Sequence, residues 1–176
     1  RLVSLRQSDH QVTAETTRGS FSAQTLIGAD GVSSLTARAL GLLPDRLTGA
    51  ALEAEVEVPQ SALLEQGPYV TFDFGALPKG YGWIFPKRDH LSVGVFQAYP
   101  GKAADIRRRL EQYMEWNPLL KERKIARLHG HLIPLGDTAG DLHRGRVLLV
   151  GVAANLAPAW IGEGIYSALQ SARIAS

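Results

Sequence analysis

Hydrophobic and polar residues alternate near the start of the chain, and this pattern predicts short strands. Residues 2–5 lead into a polar turn, and residues 12–16 alternate with a period of two, as expected of a strand with one buried face. Apolar positions over residues 35–40 are instead spaced as on a helix, and Ser33 or Ser34 can cap its first turn. The beginning of the chain is therefore predicted to be strand-rich with one short helix.

Two segments share a design in which an apolar strand leads into a glycine-marked turn and then a helix. Residues 25–27 run into Gly28-Ala29-Asp30-Gly31 before the helix over 35–40. Residues 146–151 form a continuous apolar run, as expected of a strand buried on both faces, and Gly162-Glu163-Gly164 opens a second helix. Such turns lie at the carboxyl ends of strands, where ligands bind in open α/β sheets, and helix N-termini attract phosphates. These residues alone leave a nucleotide-type ligand as an open hypothesis.

The middle of the chain has a different hydrophobic pattern, which predicts an antiparallel sheet. Strands are predicted near residues 56–58, 69–74, 81–85 and 91–96, with a turn at residues 87–90 joining the last two. An amphipathic helix is predicted over residues 103–116, followed by a second short helical stretch that ends near Ile125. The pattern predicts three segments, 1–45, 46–135 and 136–176. The first and third both show the strand–turn–helix pattern of an α/β fold.

Composition narrows the function classes. The 176 residues carry 19 Lys and Arg against 17 Asp and Glu, a formal charge of +2 that is too small to argue for nucleic acid. The absence of cysteine excludes disulfides, thiolate zinc sites and cysteine nucleophiles. The most apolar stretch, residues 147–162, is interrupted by Asn155 and Pro158 and is too short for a membrane span. Because the chain opens at Arg1 in what reads as a strand, we expect it to be a piece of a longer protein.

Three motifs together resemble a known family. The run Ile27 to Ser34, continued by Arg38, resembles the Asp-Gly motif of flavoproteins built like p-hydroxybenzoate hydroxylase, and the run Arg146 to Ile165 resembles their second FAD motif. Within that group, Gly162-Glu163-Gly164-Ile165-Tyr166 and Tyr81-x-Trp83-x-Phe85-Pro86, followed by Val93-Gly94, resemble the geranylgeranyl reductases. The resemblance implies an α/β (α+β) fold, in which a partial FAD/NAD(P)-binding domain (1–45 and 136–176) carries an inserted antiparallel-sheet substrate domain (46–135).

The resemblance also implies a set of FAD-binding residues. The Asp-Gly turn would lie near the diphosphate and ribityl chain, and the second motif would let the cofactor lie against backbone and present a helix N-terminus to the flavin. The implied cofactor-binding residues are Asp30, Gly31, Ser34, Arg38, Gly151, Ala153, Ala154, Pro158, Gly162, Glu163, Gly164 and Ile165. For Ser34, Arg38 and Glu163, capping or surface roles stay open as alternatives.

The implied substrate site is apolar. Tyr81, Trp83 and Phe85 alternate and so share one strand face, and the resemblance makes them, with Pro86 and Gly94, the lining of a polyprenyl cavity. Ordinary core packing is the alternative for these side chains. No catalytic side chain is assigned, because the family's chemistry is hydride transfer by the flavin.

Three departures from the family pattern stand out. The N-terminal Gly-x-Gly-x-x-Gly segment is absent and is expected to precede Arg1 in the full protein. Val152 stands where the family has an aspartate that would accept a bond from a ribityl hydroxyl, and Asn155 stands where it prefers glycine. Phe96 stands where a second glycine is expected, which would narrow the substrate cavity.

The resemblance implies a FAD-dependent oxidoreductase, cytoplasmic, that reduces C=C bonds of a polyprenyl group, with NAD(P)H or another reductant as electron donor. Peripheral membrane contact stays open because polyprenyl substrates live in membranes. The alternatives are a flavin monooxygenase of the aromatic hydroxylase type and a non-catalytic remnant that binds an apolar ligand. No metal site is expected, because His129 and His131 lack an evident third ligand, and His10, His90 and His143 are predicted to be solvated.

Overall fold

In the computed structural model, which describes residues 1–42, 47–99, 103–136, 140–158 and 161–176, the chain divides into two units. Unit 1 comprises Arg1–Leu47 and Pro134–Ser176, and unit 2 comprises Thr48–Ile133. The predicted boundary at residues 45 and 46 lies outside the described residues. The assignment of the segments to cofactor and substrate stays a prediction.

Unit 1 contains two three-stranded sheets. Strands β1 (Leu2–Gln7), β2 (Val12–Thr16) and β3 (Gly19–Ala23) form an antiparallel meander. In the second sheet, β11 (Val147–Leu149) lies between β10 (His143–Arg144), which is antiparallel to it, and β4 (Leu26–Gly28), which is parallel to it. The alternation over residues 12–16 predicted the buried face of β2 correctly, since Val12 and Ala14 are both buried.

Two helices complete unit 1. Helix α1 (Leu35–Ala39) follows β4, and α4 (Ile165–Ala175) follows β11 after a short 3-10 turn at Gly151–Ala154. The core of this unit is formed by apolar residues of β2, α1 and β11 together with neighbouring turns: Val12, Ala37, Leu40, Leu42, Val147, Leu149 and Ala154. Both predicted strand–turn–helix segments are therefore present.

Unit 2 is built on one five-stranded sheet with the order β6-β7-β8-β5-β9. Its strands are β5 (Leu47–Glu57), β6 (Thr71–Asp73), β7 (Gly80–Pro86), β8 (Leu91–Ala98) and β9 (Lys124–Leu135). The pairs β6/β7, β7/β8 and β5/β8 are antiparallel, as predicted. Helix α2 (Gln60–Gln66) follows β5, and helix α3 (Ala103–Trp116) follows β8.

Helix α3 packs on one face of this sheet. Its buried residues Ile106, Leu110, Tyr113 and Met114 join the inward side chains of β5, β7 and β8 in a single core cluster. The helical spacing over 103–116 predicted this arrangement correctly. The other sheet face, which we call the layer face, is left without that helix and carries the residues predicted to bind substrate.

The second helical stretch predicted to end near Ile125 was wrong. The structure has only a 3-10 turn at Pro118–Leu120, which Asn117 caps by accepting a bond from the Leu119 N–H at 3.0 Å, and β9 begins at Lys124. Ile125 therefore belongs to an edge strand, whose residues are mostly exposed. Among the described residues, no helix has the length and apolar character needed to cross a membrane.

Candidate functional site

The ends of two parallel strands bring the predicted cofactor motifs together in unit 1. Strand β4 pairs with β11 so that Ile27 is opposite Leu148 and Gly28 is opposite Leu149. Each strand then runs into a turn containing a glycine with positive φ, +74° at Gly31 and +57° at Gly151. Because the carboxyl ends of parallel strands meet at one edge, the Asp-Gly turn and the second motif are neighbours.

The Asp30 carboxylate holds the first turn of α1 in place. Its Oδ1 accepts from the Ser34 hydroxyl at 2.5 Å, and its Oδ2 accepts from the Thr36 N–H at 3.0 Å and the Thr36 hydroxyl at 3.1 Å. Burial raises the pKa of Asp30, but these hydrogen bonds outweigh burial and leave the pKa below its ordinary value. Asp30 is thus an ionised residue that shapes the turn.

Around that turn, backbone is left accessible. A Cβ placed on Gly31 would meet no atom within 4 Å, so the peptide there is open to close approach. Ser34 is buried and its hydroxyl accepts from the Ala37 N–H at 2.9 Å, which makes it the cap of α1. Arg38, in the last turn of α1, is exposed. The structure thus supports the capping role that the sequence left open for Ser34.

The second turn is built from small residues. Ala153 and Ala154 are each 1% exposed, and the Gly151 N–H donates to the Ser171 hydroxyl of α4 at 2.9 Å. A Cβ at Gly151 would lie 3.1 Å from the Ala168 Cβ, so glycine permits the close approach of α4 to this turn. Val152, half-buried between them, offers no polar side-chain atom.

Asn155 closes this turn in the left-handed region, with φ 61°. Its Nδ2 donates to the Leu135 carbonyl at 3.0 Å, whereas its Oδ1 is buried and has no hydrogen-bond partner among the described residues. The Leu135 carbonyl fixes the orientation of the amide, since only the nitrogen can donate. A buried acceptor thus lies directly after Ala154, within the second predicted FAD motif.

The N-terminus of α4 is capped by Glu163. Its Oε1 accepts from the N–H groups of Ile165 and of Tyr166, the latter at 3.0 Å. The preceding turn is closed by Pro158, whose carbonyl accepts from the Gly162 N–H at 2.7 Å. The N–H groups that the resemblance assigned to a flavin are thus bonded to a carboxylate here, as in the capping alternative for Glu163. A flavin contact at these residues stays a prediction.

The described part of unit 2 carries six aromatic rings in contact with one another, which we call the aromatic layer: Phe72, Phe74, Tyr81, Trp83, Phe85 and Phe96. Ring centroids are 6.1 Å apart for Tyr81 and Trp83, and 6.0 Å apart for Trp83 and Phe85. Phe72, on β6, makes edge contacts with Tyr81 at 5.6 Å and with Phe85 at 5.3 Å. Burial raises the pKa of Tyr81, so the layer is uncharged at neutral pH. The predicted sharing of one face is confirmed.

Gly94 leaves room for the indole ring of Trp83. The two residues are directly opposite across β7 and β8, and a Cβ on Gly94 would lie 2.0 Å from Cζ2 of the indole. The indole therefore occupies the volume of the missing side chain and is only 8% exposed. Pro86 ends the strand opposite Leu91. The motif spacing thus encodes a cross-strand pair of tryptophan and glycine.

Sequence reasoning missed a charged cluster beside this layer. His90, predicted to be solvated, bridges two carboxylates: its Nδ1 is 2.7 Å from Asp89 Oδ1, and its Nε2 is 2.7 Å from Glu55 Oε2. The bond to Asp89 raises the pKa of His90, and Glu55 adds to that effect. Together with Glu57 and Arg127, these residues line a groove of about 500 Å³. The described residues contain no group of three or more His, Asp or Glu that could hold a metal ion.

Comparison with known proteins gives these sites a context. An uncharacterized protein of Methanosarcina barkeri is 36% identical over 157 residues, covering 89% of this chain and 39% of that protein. Geranylgeranyl diphosphate reductase of Synechocystis is 31% identical over 179 residues, covering 97% of this chain and 42% of that protein. The chain therefore spans about two fifths of the length of these curated relatives.

A solved structure shows the same fold. The geranylgeranyl bacteriochlorophyll reductase-like protein of Thermoplasma acidophilum superimposes with a TM-score of 0.82 at 23% identity, covering 99% of this chain and 46% of that one. The predicted fold class is thereby confirmed, as is the resemblance to geranylgeranyl reductases that the motifs indicated. The model of the FAD binding domain family matches residues 1–175. Since that match takes in nearly the whole sequence, the chain belongs to the FAD binding domain family.

Proposed function

We propose that the full-length protein is a FAD-dependent reductase that saturates C=C bonds of a polyprenyl group. The observation that carries the proposal is the pair of glycine turns at the adjacent carboxyl ends of β4 and β11, with φ of +74° and +57°. Two such turns on parallel strands are a ligand-binding edge in an open α/β sheet. The family match and the reductase relative then favour FAD as the ligand of that edge.

The residues of unit 1 fit one part of FAD. The open peptide at Gly31 and the small residues of the 3-10 turn at Gly151–Ala154 suit a cofactor lying against backbone, and the unpaired Asn155 Oδ1 is a buried acceptor in the same turn. We assign cofactor contact to the twelve residues of the two FAD motifs named above, with Asp30, Ser34 and Glu163 acting mainly by holding their turns. Bound and reduced, FAD supplies the hydride.

The residues of unit 2 fit the substrate. A partly exposed, uncharged aromatic layer suits a long apolar chain, which gains free energy from burial and needs few hydrogen bonds. We assign substrate contact to Tyr81, Trp83 and Phe85. Gly94 leaves room for the indole ring of Trp83, and Pro86 ends the strand that carries the three rings. NAD(P)H or another reductant would recharge the flavin, and a membrane-resident substrate would bring the protein to a membrane surface.

The test uses the purified full-length protein. A flavin absorption band that survives gel filtration is the first expected result. Chemically reduced enzyme, mixed without oxygen with a geranylgeranyl compound, is then expected to give a product heavier by two hydrogen atoms per reduced C=C bond, with reoxidised flavin in equal amount. A product heavier by one oxygen atom, formed only in air, would instead identify a monooxygenase. A full-length protein without flavin would support the remnant.

A further inference from the structure

Arg146, directly before β11, joins the two sheets of unit 1. Its guanidinium donates from Nε to the Asp9 carbonyl at 3.0 Å and from Nη1 to the Gln24 carbonyl at 3.1 Å, and Nη2 also donates to the Asp9 carbonyl. Asp9 lies in the turn between β1 and β2, and Gln24 lies between β3 and β4. One side chain therefore ties the antiparallel meander to the strand that begins the second predicted FAD motif.

The backbone of Arg146 is held by two further hydrogen bonds. Its N–H donates to the side-chain Oε1 of Gln7 at 2.7 Å, and its carbonyl accepts from the Leu26 N–H at 2.9 Å. Gly145 has a φ of +59°, and a Cβ placed on it would lie 2.6 Å from Gln7 Oε1. The glycine therefore lets the Gln7 amide reach this backbone, and the Leu26 bond lies at one end of the β4/β11 ladder.

The β4/β11 pair that Arg146 anchors is short. It has three registered residue pairs, the last being Leu149 opposite Gly28, and a bond from the Val150 N–H to the Gly28 carbonyl at 3.0 Å closes it. Apolar packing is non-directional, so the buried side chains of β11 select its inward face but do not alone set its position along β4. The bonds at the start of so short a strand therefore contribute a large share of what holds the register.

The two predicted cofactor turns begin directly beyond this pair. Gly31 comes three residues after Gly28, and Gly151 comes two residues after Leu149. A displacement of β11 by one residue along β4 would shift one turn against the other by about 3.3 Å. In enzymes, a misplacement of about 1 Å caused by a distant mutation can already cost about 100-fold in rate. Whatever fixes this short pair therefore fixes how the two turns meet a common ligand.

We propose that Arg146 is a positioning residue for the cofactor, which fixes β11 against β4 and thereby sets the spacing of the turns at Gly31 and Gly151. The inference rests on the proposed function, since it takes FAD as the ligand of these turns. Arg146 acts through the two strands. Its planar guanidinium suits this role because the rigid fork bonds two carbonyls at once, whereas a lysine ammonium is a single charge on a flexible stem.

The experiment compares full-length wild type with Arg146→Lys and Arg146→Met. The flavin Kd is measured by titration of the apoprotein at a temperature where each variant is folded, and the free energy of unfolding is measured separately. The apparent Kd rises in inverse proportion to the fraction of protein in the binding arrangement. Since charge-assisted bonds are worth about one to two decades in an equilibrium, we expect Arg146→Met to weaken flavin binding about 10- to 100-fold. Arg146→Lys, which keeps the charge, is expected to lose less.

Arg144→Met is the matched control for general loosening. The Arg144 Nη1 donates to the Leu40 carbonyl at the end of α1, so this change removes a bond of the same kind on the same hairpin and does not touch the β4/β11 pair. It is expected to lower stability without changing the flavin Kd. If Arg146→Met does not fold, the Kd is read from Arg146→Lys.

Amide hydrogen exchange of the apoprotein gives a readout that needs no flavin. The N–H groups of Leu26 and Val150 bond across the β4/β11 pair, so they are expected to exchange faster in Arg146→Met and at the wild-type rate in Arg144→Met. Faster exchange together with weaker flavin binding in the Arg146 variants alone supports the proposal.

The other outcomes separate this inference from the proposed function. An unchanged flavin Kd in the Arg146 variants, whatever their stability, would overturn the role of Arg146 and leave the proposed function standing. Equal weakening of flavin binding in Arg144→Met would show general loosening and would also overturn that role. A full-length wild type that binds no flavin would overturn both.

Discussion

The substitution Gly94→Ala tests whether the tryptophan–glycine pair holds the aromatic layer together. The added Cβ would lie 2.0 Å from Cζ2, 2.4 Å from Cε2 and 2.5 Å from Cη2 of Trp83. These are rigid ring atoms, so no single bond rotation within the indole relieves the overlap. Either the indole ring must leave its position over residue 94, or β7 and β8 must move apart. We expect loss of stability together with a changed Trp83 environment.

Two estimates bound the magnitude. If the sheet yields locally, overpacking costs about 1–3 kcal/mol. If the indole is expelled, it loses the burial of a large aromatic side chain, about 150–250 Å², which at about 25 cal/mol per Å² is about 4–6 kcal/mol. Because partial relaxation lies between these limits, we expect Gly94→Ala to lower the free energy of unfolding by about 2–4 kcal/mol.

Urea unfolding followed by tryptophan fluorescence measures this change. Gly130→Ala is the matched control, because it adds the same methyl to a strand glycine of unit 2 where the nearest atom, Leu52 Cδ1, would be 3.6 Å away. The double variant Trp83→Leu/Gly94→Ala is expected to recover part of the loss, with a coupling of about 0.5–3 kcal/mol. A Gly94→Ala protein as stable as wild type with an unchanged fluorescence spectrum would refute the reasoning.

Three further predictions follow from single side chains. Tyr113 has a buried hydroxyl with no partner in the described part of the chain, and burial raises its pKa to about 12. Tyr113→Phe is therefore expected to raise stability by about 1 kcal/mol, and a loss of stability on chemical unfolding would show that the hydroxyl is hydrogen-bonded. The pKa of His90 is raised by its carboxylate partners, so its stabilisation is fully present below the ordinary histidine pKa and is lost as pH rises through the raised one. The stability difference between wild type and His90→Gln should therefore be larger at about pH 5.5 than at about pH 8.5, and the opposite trend in unfolding curves would contradict the assignment. Val152→Asp adds an acceptor in the second FAD motif and is expected to tighten flavin binding by about one to two decades in the full-length protein; an unchanged Kd in a flavin titration would mean that one hydrogen bond is not what limits binding.

Local patterns predicted the elements whose signals are contained in one segment. The helical spacing of Ile106, Leu110 and Tyr113 predicted α3, and the apolar run before Gly151 predicted β11. The same holds for the shared face of Tyr81, Trp83 and Phe85, which follows from the period of a strand. Where the local period decides the structure, the sequence was sufficient.

Features that depend on pairing between distant segments were missed. His90 was predicted to be solvated because its neighbours along the chain are polar, but its partner Glu55 is 35 residues away and meets it only through the register of β5 and β8. Strand β9 was partly predicted as helix because Lys124 and Ile125 were joined to the helical pattern before them, although residues 126–132 alternate between apolar and polar.

The same register explains how a departure from the family pattern is accommodated. Glycine within a strand costs roughly 0.5–1 kcal/mol relative to alanine, so a glycine under a ring needs a packing reason. Gly49 has one, because any side chain there would collide with Phe96 at 2.5 Å, just as Gly94 makes room for Trp83. Phe96 is buried, and its ring occupies the room that Gly49 leaves on the neighbouring strand. The ring at 96 is therefore accommodated by the glycine beside it, and β8 keeps its register with both β5 and β7.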